Sequence, residues 1–400
     1  MTDVYESLGV STVVNAAGTK TRIGGSLIRE EALEAMREAA TAFVLLSDLQ
    51  AAASERIAAV TGAEAGYVTN GAAGALVLAA AAAIARDDRS VMARLPDTEG
   101  VADEIVMPRT HRTGYDHALR TAGATIVDVG TNDPHIGTGA AEVEPWELEA
   151  AIGEETAAVA YVAKTYAEPP LTVVTDVAHD HDVPVIVDAA AEVPPVENFH
   201  RFVEAGADLV AFSGGKGVRG PQTTGILAGR RDLIRSVAAQ NLDMHVSADV
   251  WDPPASLFGD LPAGGVPRQG VGRPLKVGKE ELVGLLRALE LFLEEDRELK
   301  RAEWRGRAER VADGLSAIDG VTTRVTAGQK TSVAPEVVVD LDESRTPLTC
   351  VELVRALRAE DPRVFVGGDD TADGRFTVNP MCLTDEEAGH VLDRIGAHLA

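Results

Sequence analysis

The sequence predicts an α/β protein: a mostly parallel β-sheet covered by helices on both faces, followed by a smaller α+β domain. Three observations carry this. Six short runs rich in Val, Ile and Ala are apolar throughout and do not alternate, as strands buried on both faces do. Helical patterns of about ten residues separate them, as in βαβ units. After residue 320 the pattern changes to four further strand-like runs with two helices interleaved.

The elements follow in order. "GYVTN" (66–70) precedes a helical 72–85, "EIVMP" (104–108) precedes "GYDHALRTAG", and "ATIVDVG" (124–130) precedes "EPWELEAAIG". "AAVAYVA" (157–163) leads to "LTVVTDVAHDHD", "VPVIVDAA" (183–190) to "NFHRFVEAG", and "ADLVAFSGGK" (207–216) closes the series. Open α/β sheets bind ligands at the carboxyl ends of their strands, here Asn70, Pro108, Asp188 and Ser213. The Pro/Gly-rich stretch 244–274 reads as a functional loop. An amphipathic stretch runs from Lys279 to about Gly314, with Leu282, Leu285, Leu286, Leu289 and Leu293 at helical spacing for core or dimer packing. Strands are expected at 321–326, 335–341, 363–368 and 374–380, with helices in "TCVELVRALRAE" and "TDEEAGHVLDRIGAHL". The expected division is an N-terminal segment 1–50, a large domain 51–275, and a long helix with a small domain over 276–400.

Apolar residues make up 45% of the 400, enough for a sizeable core. The net charge is −26, with 7 lysines against 30 arginines. Such a surface stays soluble in high salt, so a halophilic source is expected, and it repels a nucleic-acid backbone. "MTDVYESLGV" lacks the basic and apolar regions of a signal peptide, and the longest apolar run, Gly74–Ala85, is too short to span a bilayer. A cytoplasmic protein is expected. Cys350 and Cys382 form no CxxC and imply neither a disulfide framework nor a zinc site. "AHDHD" (178–182) is read as a polar helix end before the next strand rather than a metal cluster.

The chemistry centres on "SGGKGVRGPQTTG" (213–225), where one of the few lysines follows a buried strand among five glycines. A Walker A loop fails, because Val210 stands where its first glycine belongs and Gly217 where Ser or Thr should follow the lysine. A partly desolvated Lys216 suits covalent chemistry, and the glycines let the backbone approach a flat ligand; a solvated loop lysine is the other reading. Asp188 ends an apolar strand and needs a cation or strong donors to be buried there. A protonated pyridine nitrogen is one such partner, a structural salt bridge another. In "TNGAAGAL" (69–76) small residues open a helix whose free N–H groups can take a phosphate.

A helix-start cradle, an aspartate at a later strand end, and a lysine 28 residues beyond it occur here in that order. Together with "VVNAAGTKTRIGGS" (13–26), "SDLQ" (47–50), "VIVDAAAEVPP" (185–195), "DLVAFSGGKGVRGPQTTGIL" (208–227) and "GRPLKVGKEELVGLLRALE" (272–290), the chain resembles the SelA-like branch of the fold-type I (aspartate aminotransferase-like) enzymes of pyridoxal 5'-phosphate. That branch holds selenocysteine synthase and D-glucosaminate-6-phosphate ammonia-lyase-type enzymes. The resemblance implies that Lys216 forms the Schiff base, Asp188 pairs with the pyridinium nitrogen, and Gly71, Ala72 and Ser213 hold the phosphate. His111, in "MPRTHRTGYD", falls where a ring-stacking residue is placed. Arg109 and Arg112, and Arg273 and Lys276 in "GRPLK", are candidates to bind a substrate carboxylate or phosphate, with surface roles as the alternative.

Selenocysteine synthase-type relatives carry an additional N-terminal region for tRNA, whereas the "VVNAAGT" motif here begins at Val13. With the acidic charge, this favours a small-molecule amino substrate over nucleic acid. The expected reaction is a lyase reaction on an amino acid or amino-sugar acid, by ammonia elimination or aldol-type cleavage. Selenium transfer to a seryl-tRNA is the alternative. A homodimer or higher homo-oligomer is implied, and neither a metal nor a membrane partner is expected.

Overall fold

The computed structural model describes residues 4–131, 143–164, 167–242, 246–259, 270–327 and 334–399. Within the expected loop 244–274, residues 244–245 and 260–269 lie outside that set. The chain forms two compact units, residues 28–293 and residues 1–27 with 294–400. The described strands are β1 (Val13–Ala16), β2 (Ala65–Thr69), β3 (Glu104–Pro108), β4 (Thr125–Val129), β5 (Thr156–Val162), β6 (Val185–Asp188), β7 (Leu209–Ser213), β8 (Gly225–Gly229), β9 (Val321–Val325), β10 (Val337–Leu341), β11 (Arg363–Val366) and β12 (Arg375–Val378).

The larger unit is built on a seven-stranded sheet of order β2-β8-β7-β6-β5-β3-β4. Only β8 runs antiparallel to its neighbours; the remaining pairs are parallel. The carboxyl ends of β2 to β7 therefore share one edge with the start of β8. Each apolar run of the sequence is one of these strands, to within two residues at most ends. The antiparallel β8, "GILAG", buried at every position, is not among the expected strands. Its terminal glycines are dictated by packing, since a Cβ on Gly229 would lie 1.9 Å from the Asp208 carbonyl oxygen.

One face of the sheet is covered by the helix Gly71–Ala85, buried from Gly74 onward. It is apolar on every side because it lies between the sheet and the outer helices Asp116–Thr121 and Arg231–Asn241, and its alanines let those layers approach. The opposite face is packed by Ala53 and Ile57, Leu171 and Val174, Phe199 and Phe202, and Leu282, Leu285, Leu286 and Leu289 of the helix Lys279–Glu294.

The amphipathic stretch from Lys279 is two helices, Lys279–Glu294 and Arg297–Ser316. The Asp296 carboxylate accepts from Leu299 N–H at 3.0 Å and starts the second helix. The smaller unit holds the antiparallel sheet β9-β10-β12 and the parallel pair β1-β11. Its helix Cys350–Arg358 opens with a reciprocal Thr349–Glu352 capping box. No helix among the described residues is long and apolar enough to cross a membrane.

Candidate active site

The strand register assembles the site at one edge of the large sheet. Gly225 pairs with Thr69 of β2 on one side and Ser213 of β7 on the other. Asp188 pairs with Ala211 of β7 and Val162 of β5. At about 4.8 Å between strands, Thr69, Gly225, Ser213, Asp188 and Val162 stand in neighbouring rows. Helix Gly71–Ala85 begins one residue after Asn70, with Gly71 at φ +78°. A Cβ on Gly225 would sit 2.4 Å from Gly71 C and 2.7 Å from Ala72 N. Only glycine lets β8 reach this turn. Asn70 Oδ1 is buried there without a hydrogen-bond partner among the described residues.

Asp188 is mostly withdrawn from solvent, and desolvation pushes its carboxyl above the ordinary range. The Ala190 N–H donates to its Oδ1 at 3.0 Å, and the positive charges of Lys216 and Lys164 offset part of the cost. Lys216 lies in the loop joining β7 to β8. Gly214 N–H donates to Thr224 O at 2.8 Å, and Arg219 N–H to Lys216 O at 3.0 Å, which folds the loop back on itself. Arg219 takes a left-handed φ of 61°.

The glycines flanking Lys216 serve a different purpose from the one expected. A Cβ on Gly215 would lie 2.5 Å from Gln222 Cα, and one on Gly217 2.3 Å from Val193 O. Gly214 is closed in by Thr224 and Leu285. These residues make room for the protein's own backbone. Of the five, Gly225 alone packs on the helix-start turn.

His111 is 1% exposed. Its Nδ1 accepts from Val162 N–H at 3.1 Å, so that nitrogen carries no proton and Nε2 donates to Glu168 O at 3.2 Å. Burial lowers its pKa to about 4, so the ring is neutral with a fixed tautomer. It meets Tyr161 edge-on, with centroids 4.6 Å apart.

The four cationic candidates separate. Arg112 donates from Nε to Asp116 and from Nη1 to Asp128 at 2.8 Å. Its fork is spent on two carboxylates, one of them buried, so the structure gives it a scaffold role in place of the expected substrate contact. Arg109 is 3.7 Å from Asp128 and half-exposed. Arg273 Nη1 donates to Asn241 O at 2.5 Å, and Asn241 also holds Gly272 O and Leu275 O; together they fasten the 270–275 loop. Lys276 is exposed. His179, from "AHDHD", pairs through Nε2 with Asp208 at 2.9 Å.

Sequence reasoning missed Lys164, Glu192 and Arg201. Lys164 acts on both Asp188 and His111. Burial raises the pKa of Glu192, and the charges of Arg201, Asp188 and Lys216 act on it in turn. Glu192 stood four residues after Asp188 in "VDAAAEVPP", but only the loop's path brings it to the edge.

A desolvated carboxylate, a lysine near it and a helix start at Gly71 and Ala72, whose first N–H groups have no intrahelical partner, are what a phosphorylated pyridine aldehyde requires. Fold and site together define a fold-type I enzyme of pyridoxal 5'-phosphate. The chain belongs to the SelA family: the family described as L-seryl-tRNA selenium transferase matches residues 13–250. It is 30% identical to a D-glucosaminate-6-phosphate ammonia lyase of Salmonella typhimurium, over 98% of this chain and 97% of the relative. A solved structure of a D-glucosaminate-6-phosphate ammonia-lyase matches all of both chains with a TM-score of 0.82 at 30% identity. A 5'-C-glycyluridine monooxygenase-decarboxylase of a Streptomyces species is 29% identical over 98% of this chain and 90% of its own. A ureidoglycine-glyoxylate aminotransferase of Bacillus subtilis shares the fold, with a TM-score of 0.56 at 16% identity over 98% and 93% of the two chains.

Proposed function

We propose that the chain is a lyase acting on an amino acid or amino-sugar acid, removing ammonia or cleaving a carbon–carbon bond. The observation that carries this is the desolvated Asp188 carboxyl, with Lys216 beside it, at the same sheet edge as the Gly71–Gly225 turn. The full-length likeness to an ammonia lyase supports the reaction class.

When bound, pyridoxal phosphate supplies an electron sink for charge developing at the substrate Cα. Gly71 and Ala72 offer helix-start N–H groups, and Ser213 a hydroxyl, to its phosphate. Asp188 would hold the protonated ring nitrogen, a partner that would offset the cost of burying the carboxylate. His111, neutral and fixed, supports the ring. Lys216 would anchor the cofactor, and its Nζ is the group that would move the Cα proton. Arg109, Arg273 and Lys276 remain proposed anion contacts for the substrate.

The test has two parts. Visible absorbance of the loaded protein should vanish in Lys216→Ala. Ammonia and a 2-oxo acid should be released from members of a panel of amino and amino-sugar acids. A colourless wild type purified with the cofactor would sink the reading. The family match favours a second reading, selenium transfer to a seryl-tRNA, for which saturable tRNA binding at working salt would count against a small-molecule substrate; the −26 charge opposes it.

The reading extends to a cytoplasmic homo-oligomer from a salt-rich source, supported by the exposed Phe43 and Leu45 and by the acidic composition. A monomer in sedimentation, or a Tm that falls with added KCl, would count against it.

A further inference from the structure

Strand β2 is an outer strand of the large sheet. An antiparallel outer strand directs the N–H and C=O of every second residue away from its neighbour, and such groups need another partner when they are buried. On β2 these residues are Gly66 and Val68. The Gly66 N–H donates to Ser54 Oγ at 3.0 Å. The Val68 N–H donates to Gln50 Oε1 at 3.0 Å, and Gln50 Nε2 donates to Val68 O at 2.8 Å. Ser54 and Gln50 lie on the helix Leu46–Thr61 and are both buried. One side-chain amide thus takes the place of a neighbouring strand. Its two bonds to a single residue fix both the height and the twist of β2 at Val68.

This clamp stands just before the helix-start turn. Val68 precedes by two residues Asn70, the N-cap of the helix Gly71–Ala85, and the Asn70 side chain makes no capping bond. The first N–H groups of that helix have no intrahelical partner and can face an anion. The turn is held from within by the Thr69 hydroxyl, which donates to Gly71 O at 2.9 Å. On the β8 side it is held by Gly225, whose backbone closes on Gly71 and Ala72. On the outer side the strand leading into it is held by Gln50. If Gln50 let go, the main-chain groups of Val68 would be buried and unpaired, and β2 would relax by twisting towards other partners, taking the turn with it.

We infer that Gln50 is a positioning residue for the cofactor's phosphate: it acts through Val68 to set where Gly71 and Ala72 present their N–H groups. This rests on the functional reading above and deepens it, and it gives the "SDLQ" stretch (47–50) a role. Ser54 steadies the same strand further from the turn, at Gly66, and serves as the internal comparison.

Equilibrium dialysis of the cofactor-free protein tests this with two ligands, pyridoxal phosphate and pyridoxal, which share ring and aldehyde and differ by the phosphate. The ratio of their affinities isolates the phosphate's share of binding. The wild type should prefer pyridoxal phosphate. Gln50→Met keeps an unbranched side chain and loses both bonds; the preference should fall about 10-fold, as for a misplaced charge-assisted hydrogen bond, while pyridoxal binds as it does to wild type. Ser54→Ala should lower Tm and leave the preference as in wild type. Should Gln50→Met fail to fold, Gln50→Asn, whose shorter amide cannot reach both groups, is read in the same way. A folded Gln50 variant that keeps the preference, or that weakens both ligands alike, overturns the inference. So does a Ser54→Ala variant that loses the preference to the same extent. In those cases the wild-type preference still stands and the functional reading survives. A wild type with no preference defeats the phosphate cradle of that reading, and the inference with it.

Discussion

Replacing Asp188 with Asn should move stability and cofactor affinity in opposite directions. Without cofactor, the carboxyl is relieved by one N–H bond at 3.0 Å and by the fields of Lys216 and Lys164, yet desolvation still raises its pKa. The folded chain thus holds that proton more tightly than the unfolded chain. The stabilisation this brings is complete below the ordinary carboxylate value of about 3.9 and is lost as pH rises through the folded value. At neutral pH the charge is a net cost, and the isosteric Asn removes it. If the gain is about 1 kcal/mol, the cofactor-free variant melts about 1 °C higher in a chain of this size. With cofactor the sign reverses, because a charge-assisted hydrogen bond worth about 1.5–3 kcal/mol is gone. Affinity should fall about 10- to 100-fold, and at fixed ligand concentration the loaded variant loses about 1.4–2.7 kcal/mol of stabilisation relative to wild type. Melting curves with and without pyridoxal phosphate, together with an absorbance titration, read both quantities. A variant that binds cofactor as tightly as wild type refutes the assignment of Asp188, and one that melts lower when cofactor-free refutes the desolvation reasoning.

Three further outcomes are expected. His111 has a folded pKa of about 4 against about 6.5 unfolded, so its contribution is complete above pH 6.5 and is lost as pH falls towards 4; the stability difference between wild type and His111→Gln should shrink by about 3 kcal/mol over that interval, and a flat difference in denaturant titrations at the two pH values would contradict the fixed neutral ring. Gly225→Ala forces a Cβ to within 2.4 Å of Gly71 C, at an overpacking cost of about 1–3 kcal/mol; the turn should shift and cofactor affinity should drop more than stability does, as equilibrium dialysis beside a thermal melt would show. Arg112→Met should lower Tm, because buried Asp116 loses its closest cation, while leaving KM unchanged; a raised KM with unchanged Tm would restore Arg112 to the substrate.

The large sheet was legible because its parallel strands are buried on both faces and so form unbroken apolar runs. Asp188 and Lys216 could be read because each is a charge ending such a run, a position that sequence alone marks. Arg201 and Glu192 could not. One lies on a polar-looking helix, the other in a loop, and their meeting depends on the path from Asp188 to Asn198. The small-domain strands were found from their Val-rich cores, whereas β1 (VVNA) is followed at once by Ala17 and Gly18 and was read only as part of a motif. The break between Glu294 and Arg297 carries neither glycine nor proline to mark it, and Asp296 reads as a cap only once the chain has turned.

The antiparallel strand β8, which the sequence reading did not anticipate, also explains where Lys216 stands. In a βα unit the loop after β7 would lead into a helix and away from the sheet. Because β8 runs antiparallel, the chain must return to the ligand edge it has just left, with Ser213 opposite Gly225. The loop's ends are fixed one strand spacing apart and tied by Gly214 N–H to Thr224 O at 2.8 Å. Its glycines are consumed in packing that return against Gln222, Thr224 and Val193. The lysine is held on a closed loop between Asp188 on one side and the Gly71 turn on the other. A residue introduced at Gly215 or Gly217 should therefore displace Lys216 by distorting its own loop, with no direct contact to the cofactor. Such a variant would bind pyridoxal phosphate in the cradle but form the lysine-linked absorbance slowly or not at all. If it instead lost phosphate affinity outright and kept the linkage chemistry, the glycines would be facing the ligand and the packing account would be wrong.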